Sequence, residues 1–133
     1  MESTKWTKDR IKMTGRATVY PANLPEKPHY VVIYEQFEMG ILNRDDIDGY
    51  LDSIIDNGLK ILHSGEMPHS EYPQYFENCQ MEFDCTEEHS YLNIEYNFNT
   101  LDQAEQFARL FEIDEIYDAS EMEIIYLYED END

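Results

Sequence analysis

Apolar and polar positions alternate twice in the middle of the chain. Cys79, Met81, Phe83 and Cys85 alternate with Gln80, Glu82 and Asp84, and Leu92, Ile94, Tyr96 and Phe98 alternate with Asn93, Glu95 and Asn97. A period of two predicts half-buried strands, and the short break at Thr86–Ser90 joins them as a hairpin. Tyr30 to Phe37 (YVVIYEQF) is β-branched and aromatic and predicts a central strand, with Gly40 at its end. Met122, Ile124, Tyr126 and Tyr128 alternate with Glu121, Glu123, Ile125 and Leu127 and predict a final strand.

Two stretches carry a helical period instead. Ile47, Leu51, Ile54, Ile55 and Leu62 follow helical spacing, with Asn43 as the expected cap and Asp45 and Asp46 in the first turn. Gly58 is expected to stop or bend this helix, which leaves Leu59–His63 open as helix or short strand. Thr100-Leu101-Asp102-Gln103 is a capping box, followed by Leu101, Ala104, Phe107, Ala108 and Phe111 on one helical face. Residues 64–78, with Gly65, Pro68 and Pro73, read as a long loop. The order is β-α-β-β-α-β, an α+β chain of ferredoxin-like type, with an antiparallel sheet and two helices on one face. Arg16–Tyr20 adds an N-terminal arm or extra edge strand.

The expected organisation is a basic arm and Pro-rich connector over 1–28, one α+β domain over 29–128, and an acidic tail over 129–133. Length supports one domain of 133 residues. No apolar run approaches the ~20 residues a membrane span needs, and the N-terminus does not read as a signal peptide. Two cysteines are too few for a disulfide scaffold, so a cytoplasmic location is the expectation.

Charge changes the picture most. The chain holds 30 Asp and Glu against 9 Lys and Arg, a formal net charge of −21. Residues 1–16 carry five basic and two acidic residues, and the remaining 117 carry four basic and 28 acidic. Evenly spread over a folded surface of roughly 7,300 Å², the net charges would sit almost 20 Å apart by that scaling, well beyond a Debye length of about 8 Å. Only clustered carboxylates would attract a basic partner.

Asp45, Asp48, Asp52 and Asp56 fall at spacings that form one row on a helix. Alternation places Glu82, Asp84 and Glu95 on the sheet face away from the helices, with Glu35 or Gln36, Glu121 and Glu123 as further candidates. An acidic face of this kind argues against nucleic-acid binding in the manner of RNA-recognition modules. Tyr72 and Tyr75 lie in the long loop, where tyrosine offers interface area with a polar tip, or closes over the sheet edge as a small aromatic cluster.

Catalytic and metal motifs are missing. Asp46-Ile47-Asp48-Gly49 would need oxygen donors where Arg44 and Ile55 stand, so it is no calcium loop. Cys79 and Cys85 would lie ~20 Å apart along a strand, and His63 and His69 with a cysteine match no standard zinc spacing. No nucleophile elbow or phosphate loop occurs. No cofactor and no enzymatic activity are therefore expected.

In composition the chain is similar to virus-encoded DNA mimics that inhibit host defence nucleases of the restriction or CRISPR kind. That similarity implies a non-enzymatic inhibitor of a basic, nucleic-acid-binding protein, with Asp45, Asp48, Asp52, Asp56, Glu82, Asp84, Glu95, Tyr72 and Tyr75 as contact residues. It implies no direct nucleic-acid contact and no membrane. The alternative is a ferredoxin-like regulatory or assembly module that forms a homodimer.

Overall fold

The computed structural model describes residues 4–19, 29–41, 44–86 and 88–127. The Pro-rich connector, the expected cap Asn43 and the acidic tail lie outside these residues. Helix α1 (Thr4–Thr14) leads into strand β1 (Arg16–Val19), then β2 (Tyr30–Gly40) and α2 (Ile47–Leu62). A one-turn helix α3 (Pro68–Glu71) precedes β3 (Cys79–Cys85), β4 (Ser90–Phe98), α4 (Leu101–Leu110), β5 (Glu115–Asp118) and β6 (Glu123–Tyr126).

The six strands form one antiparallel sheet in the order β1-β3-β4-β2-β5-β6. The protein is thus a mixed α+β structure, and its sheet is larger than a four-stranded βαββαβ unit. β1 adds an edge beside β3, as the extra-strand expectation had it. At the other edge β5 and β6 form a hairpin, and β5 was not foreseen. Residues 113–118 alternate too briefly between acidic and apolar positions to stand out, and β5 is recognisable only once it pairs with β2.

Several local expectations change. Residues 4–14 are helical rather than an irregular arm. Gly15, at φ +82°, ends that helix in the left-handed region that glycine enters without strain, and its N–H donates to the Ile11 carbonyl. α2 runs unbroken through Gly58 to Leu62, so 59–62 are helix. Gly58 is there for space: a Cβ would stand 2.8 Å from the Phe83 ring. Close packing of α2 on the sheet outweighs the roughly 1 kcal/mol that glycine costs inside a helix. Asp46 caps α2, its carboxylate accepting from the Gly49 N–H at 3.2 Å. Thr100 caps α4 as the capping box predicts, accepting from the Gln103 N–H.

The alternation in β3 and β4 places Met81, Phe83, Leu92, Ile94 and Tyr96 in the core. Gly58 of α2 packs on Phe83 and Leu92, and Phe107 of α4 stacks on Tyr96 and Phe98. Both helices therefore lie on one face of the sheet. The expected long loop is ordered by α3 and a 3-10 turn over Pro73–Asn78. His69 in α3 is buried; its Nε2–H donates to the Leu62 carbonyl at 2.6 Å. Its Nδ1 is then left to accept from the Tyr96 hydroxyl at 2.9 Å. Burial lowers the His69 pKa and keeps the ring neutral, and both nitrogens are engaged as a brace between α2 and β4.

Candidate functional site

The seven acidic residues singled out by sequence divide between two sides of the sheet. Asp45, Asp48, Asp52 and Asp56 belong to the α2 segment on the helix side, and Glu82, Asp84 and Glu95 point from β3 and β4 to the other side. No single flat partner surface touches both sets.

The aspartate row has an internal answer. α1 lies alongside α2, with Lys8 Nζ 2.9 Å from Asp52 and 3.8 Å from Asp48, and Lys12 also bonded to Asp48. The hydrogen bond to Asp52 raises the Lys8 pKa, and the bond from Lys12 lowers that of Asp48. Asp56 pairs with Lys60 one turn on, at 3.1 Å. The basic N-terminal segment therefore folds back on the acidic helix, and a row that in sequence has only Arg44 and Lys60 at helical spacing to oppose it is further neutralised in three dimensions. Exposed pairs of this kind are weakened by salt. In a Lys8→Glu, Lys12→Glu variant, α1 should lose its hold on α2. Amide exchange in α1 should then speed up while that in β4 stays unchanged, and added salt should move the parent protein the same way.

Tyr72 and Tyr75 are half-buried parts of an aromatic cluster. Tyr75 stands 4.8 Å from Phe107 and 6.1 Å from Phe98, and Tyr72 is 5.8 Å from Phe111, all edge-on. This closes the edge of the core, the second of the two roles open to them.

The open sheet face has two halves. On β3 and β4 side-chain amides and carboxylates form a hydrogen-bonded lattice. Gln36 donates to Asn93, Asn93 to Glu82 at 3.3 Å, Asn97 to Gln80 at 2.8 Å, and Gln80 to Glu95. Arg16 of β1 faces Asp84 at 3.5 Å. Glu95 is only 9% exposed, and burial followed by the charge of Glu82 pushes its pKa up to about 7.

The second half, on β2, β5 and β6, is mainly apolar, with Glu115 of β5 among its residues. Ile33 is opposite Glu95 in register and 52% exposed; Tyr117 pairs with Val31 and Ile124 with Tyr117. The expected acidic positions on this side are not there. Glu123 falls on the helix-side parity of β6, Glu121 lies in the β5–β6 turn, and Ile124 and Tyr126 take the open face, 49% and 61% exposed. β6 is apolar on both parities (Ile124, Ile125, Tyr126), so its facing is set by pairing with β5 rather than by its own pattern. Val31, Ile33, Ile113, Glu115, Tyr117 and Ile124 line a groove of about 160 Å³. Nothing in the sequence pattern separated these isoleucines from core residues.

Among the described residues no cluster of His, Cys, Asp or Glu is arranged to hold a metal ion, and no helix is long and apolar enough to cross a membrane. Cys79 and Cys85 are free buried thiols, and burial pushes Cys79 up to about 12, far from a reactive thiolate. No protein-family model, curated protein or solved structure matches the chain.

Proposed function

We propose that this protein is a non-enzymatic inhibitor that binds a basic, nucleic-acid-binding protein and covers its DNA or RNA surface, in the manner of a viral DNA mimic acting in the cytoplasm. The observation that carries the reading is segregation of charge. After residue 60 the chain holds 20 acidic residues and one basic residue, Arg109. Of the eight cations in the first 60 residues, Lys5, Lys8, Lys12, Arg16 and Lys60 face carboxylates. The half of the chain that builds β3 to β6 is thus left strongly negative, a distribution that steers a cationic surface toward it.

In the same reading the central strands β3-β4-β2-β5, with α2 and α4 as crossovers, form a ferredoxin-like core to which β1 and β6 are added. That core serves as a scaffold, since an architecture of this kind does not itself specify an activity.

The test is capture from nuclease-treated bacterial lysate on immobilised protein, eluted with a salt gradient. The expected result is one DNA- or RNA-binding protein that salt releases and added duplex DNA displaces. Capture that is indifferent to salt and to DNA overturns the mimicry.

A further inference from the structure

Two cationic or polar features of the molecule do not lead beyond the site already described. The groove lined by Trp6, Arg10, Arg16 and Glu82 is open, and Asp48 and Asp52 of the α2 row are occupied by Lys8 and Lys12 of α1. The apolar half of the open sheet face is different.

The structure assigns this face, we infer, as the docking surface for a cationic amphipathic helix of the partner, whose apolar stripe enters the groove of Val31, Ile33, Ile113, Tyr117 and Ile124 and whose arginines reach carboxylates on both sides. The inference rests on the proposed function and specifies its contact surface.

Four observations combine. First, the helices α2 and α4 cover one face of the sheet, and among the described residues no second layer covers the other, although Ile33 and Ile124 are about half exposed there. A layer of secondary structure with an apolar face is normally covered by another. Second, strands within a sheet already pair their backbone groups, so an element laid on the face must satisfy its own. A helix does this and a strand does not. Third, the groove is flanked by acid. Glu115 stands in the lining itself, between Ile113 and Tyr117 on β5, and beyond Ile33 lie the largely buried Glu95, about 5 Å away at one strand spacing, and the half-buried Glu82 one strand further. Fourth, the charged side chains that this half of the face presents are carboxylates, and a second copy of the chain brings the same carboxylates and another −21. Like charges set opposite each other at an interface are unfavourable, which disfavours self-association and favours a cationic occupant.

The apolar contacts supply what charge alone lacks. Long-range steering is lost at high salt, whereas burial of isoleucine is not. Docking here therefore predicts a salt-resistant component of binding and selectivity for an ordered apolar stripe.

The probe is an 18-residue amidated peptide of Leu, Ala and Arg with leucines at helical spacing, compared with a scrambled peptide of the same composition and with poly-L-arginine. Binding is followed at 150 mM salt by calorimetry and by backbone amide shifts of the full chain. The expected result is at least tenfold tighter binding of the amphipathic peptide than of the scrambled one, with shifts at Val31, Ile33, Glu95, Tyr117 and Ile124. Ile33→Ser with Ile124→Ser should lose about tenfold for this peptide and leave poly-L-arginine binding unchanged. Both positions are half exposed, so the fold should persist, which an unchanged amide spectrum elsewhere verifies. Glu115→Gln should weaken the amphipathic peptide without moving its contact site.

If poly-L-arginine binds but the two peptides do not differ, or if shifts fall on α2, the docking surface is wrong and the electrostatic reading stands. If no cationic probe binds, the electrostatic reading itself fails and the docking surface with it. If sedimentation gives a dimer that the double serine variant dissolves, the face is covered by a second copy and the inference is overturned.

Discussion

Phe107→Ala is expected to lower the stability of this protein by about 3–5 kcal/mol, the range for deleting a buried phenylalanine. Phe107 is fully buried, with ring centroids 4.6 Å from Tyr96, 4.8 Å from Tyr75, 4.9 Å from Phe111 and 5.4 Å from Phe98. Its ring ties α4 to β4 through Tyr96 and Phe98 and to the 3-10 turn after α3 through Tyr75. Removing the ring forfeits both its burial and the edge contacts of its neighbours, and the rings around it can collapse only partly. Against a total of about 5–15 kcal/mol for an ordinary domain, the loss is a large fraction. Urea unfolding should show a lower midpoint with an unchanged slope. A loss under about 1 kcal/mol would mean that α4 and the aromatic cluster are not packed as described. The open face lies across the sheet, so the proposed binding of cationic peptides should be the same for the folded fraction of this variant as for the parent.

The second large effect is the pH dependence set by Glu95. In the unfolded chain its carboxyl ionises near the ordinary value of 4.5, and in the folded protein near 7. The folded state therefore holds its proton more tightly than the unfolded state does. The stability that goes with the protonated form is fully present below pH 4.5 and is lost as pH rises through 7. The difference corresponds to about 3 kcal/mol at 1.36 kcal/mol per pH unit, an order-of-magnitude figure. Glu95→Gln keeps an oxygen to accept from Gln80 and cannot ionise. It should match the parent near pH 4 and exceed it by up to about 3 kcal/mol at pH 8. His69 works in the opposite sense, because its pKa is lowered by burial: its contribution is present above pH 6.5 and falls away as pH drops. The difference between variant and parent isolates Glu95 from His69 and from the general repulsion of an acidic chain. Denaturation midpoints measured every half unit from pH 4 to 8 would show the separation, and parallel curves would show that Glu95 is not held in the desolvated setting described.

A carboxyl in that setting is a cost the fold carries. In the proposed complex an arginine brought to Glu82 and Glu95 would offset the hydration that burial takes from Glu95 and the repulsion from Glu82.

The sequence by itself determined the parts whose signal is local. Strict alternation specified β3 and β4 to within a residue or two, the Thr100–Gln103 box started α4, and the charge count identified an acidic chain with its cations concentrated near the N-terminus. Such features depend on neighbours within a few residues, so they can be read without knowing where the chain goes. What only the tertiary structure decided depends on partners far along the chain. Gly58 looked like a helix stop until Phe83 was found against it. Along the helix Asp52 has no cation at helical spacing and Asp48 only Arg44; Lys8 and Lys12, some 40 residues earlier, fold onto them. Tyr72 and Tyr75 counted as loop aromatics until α4 supplied Phe107 and Phe111. The apolar half of the open face came into view last, because β5 is four residues long and β6 is apolar on both parities. For such a strand, the side chains that face outward are set by register against its neighbour, and register is a property of the assembled sheet.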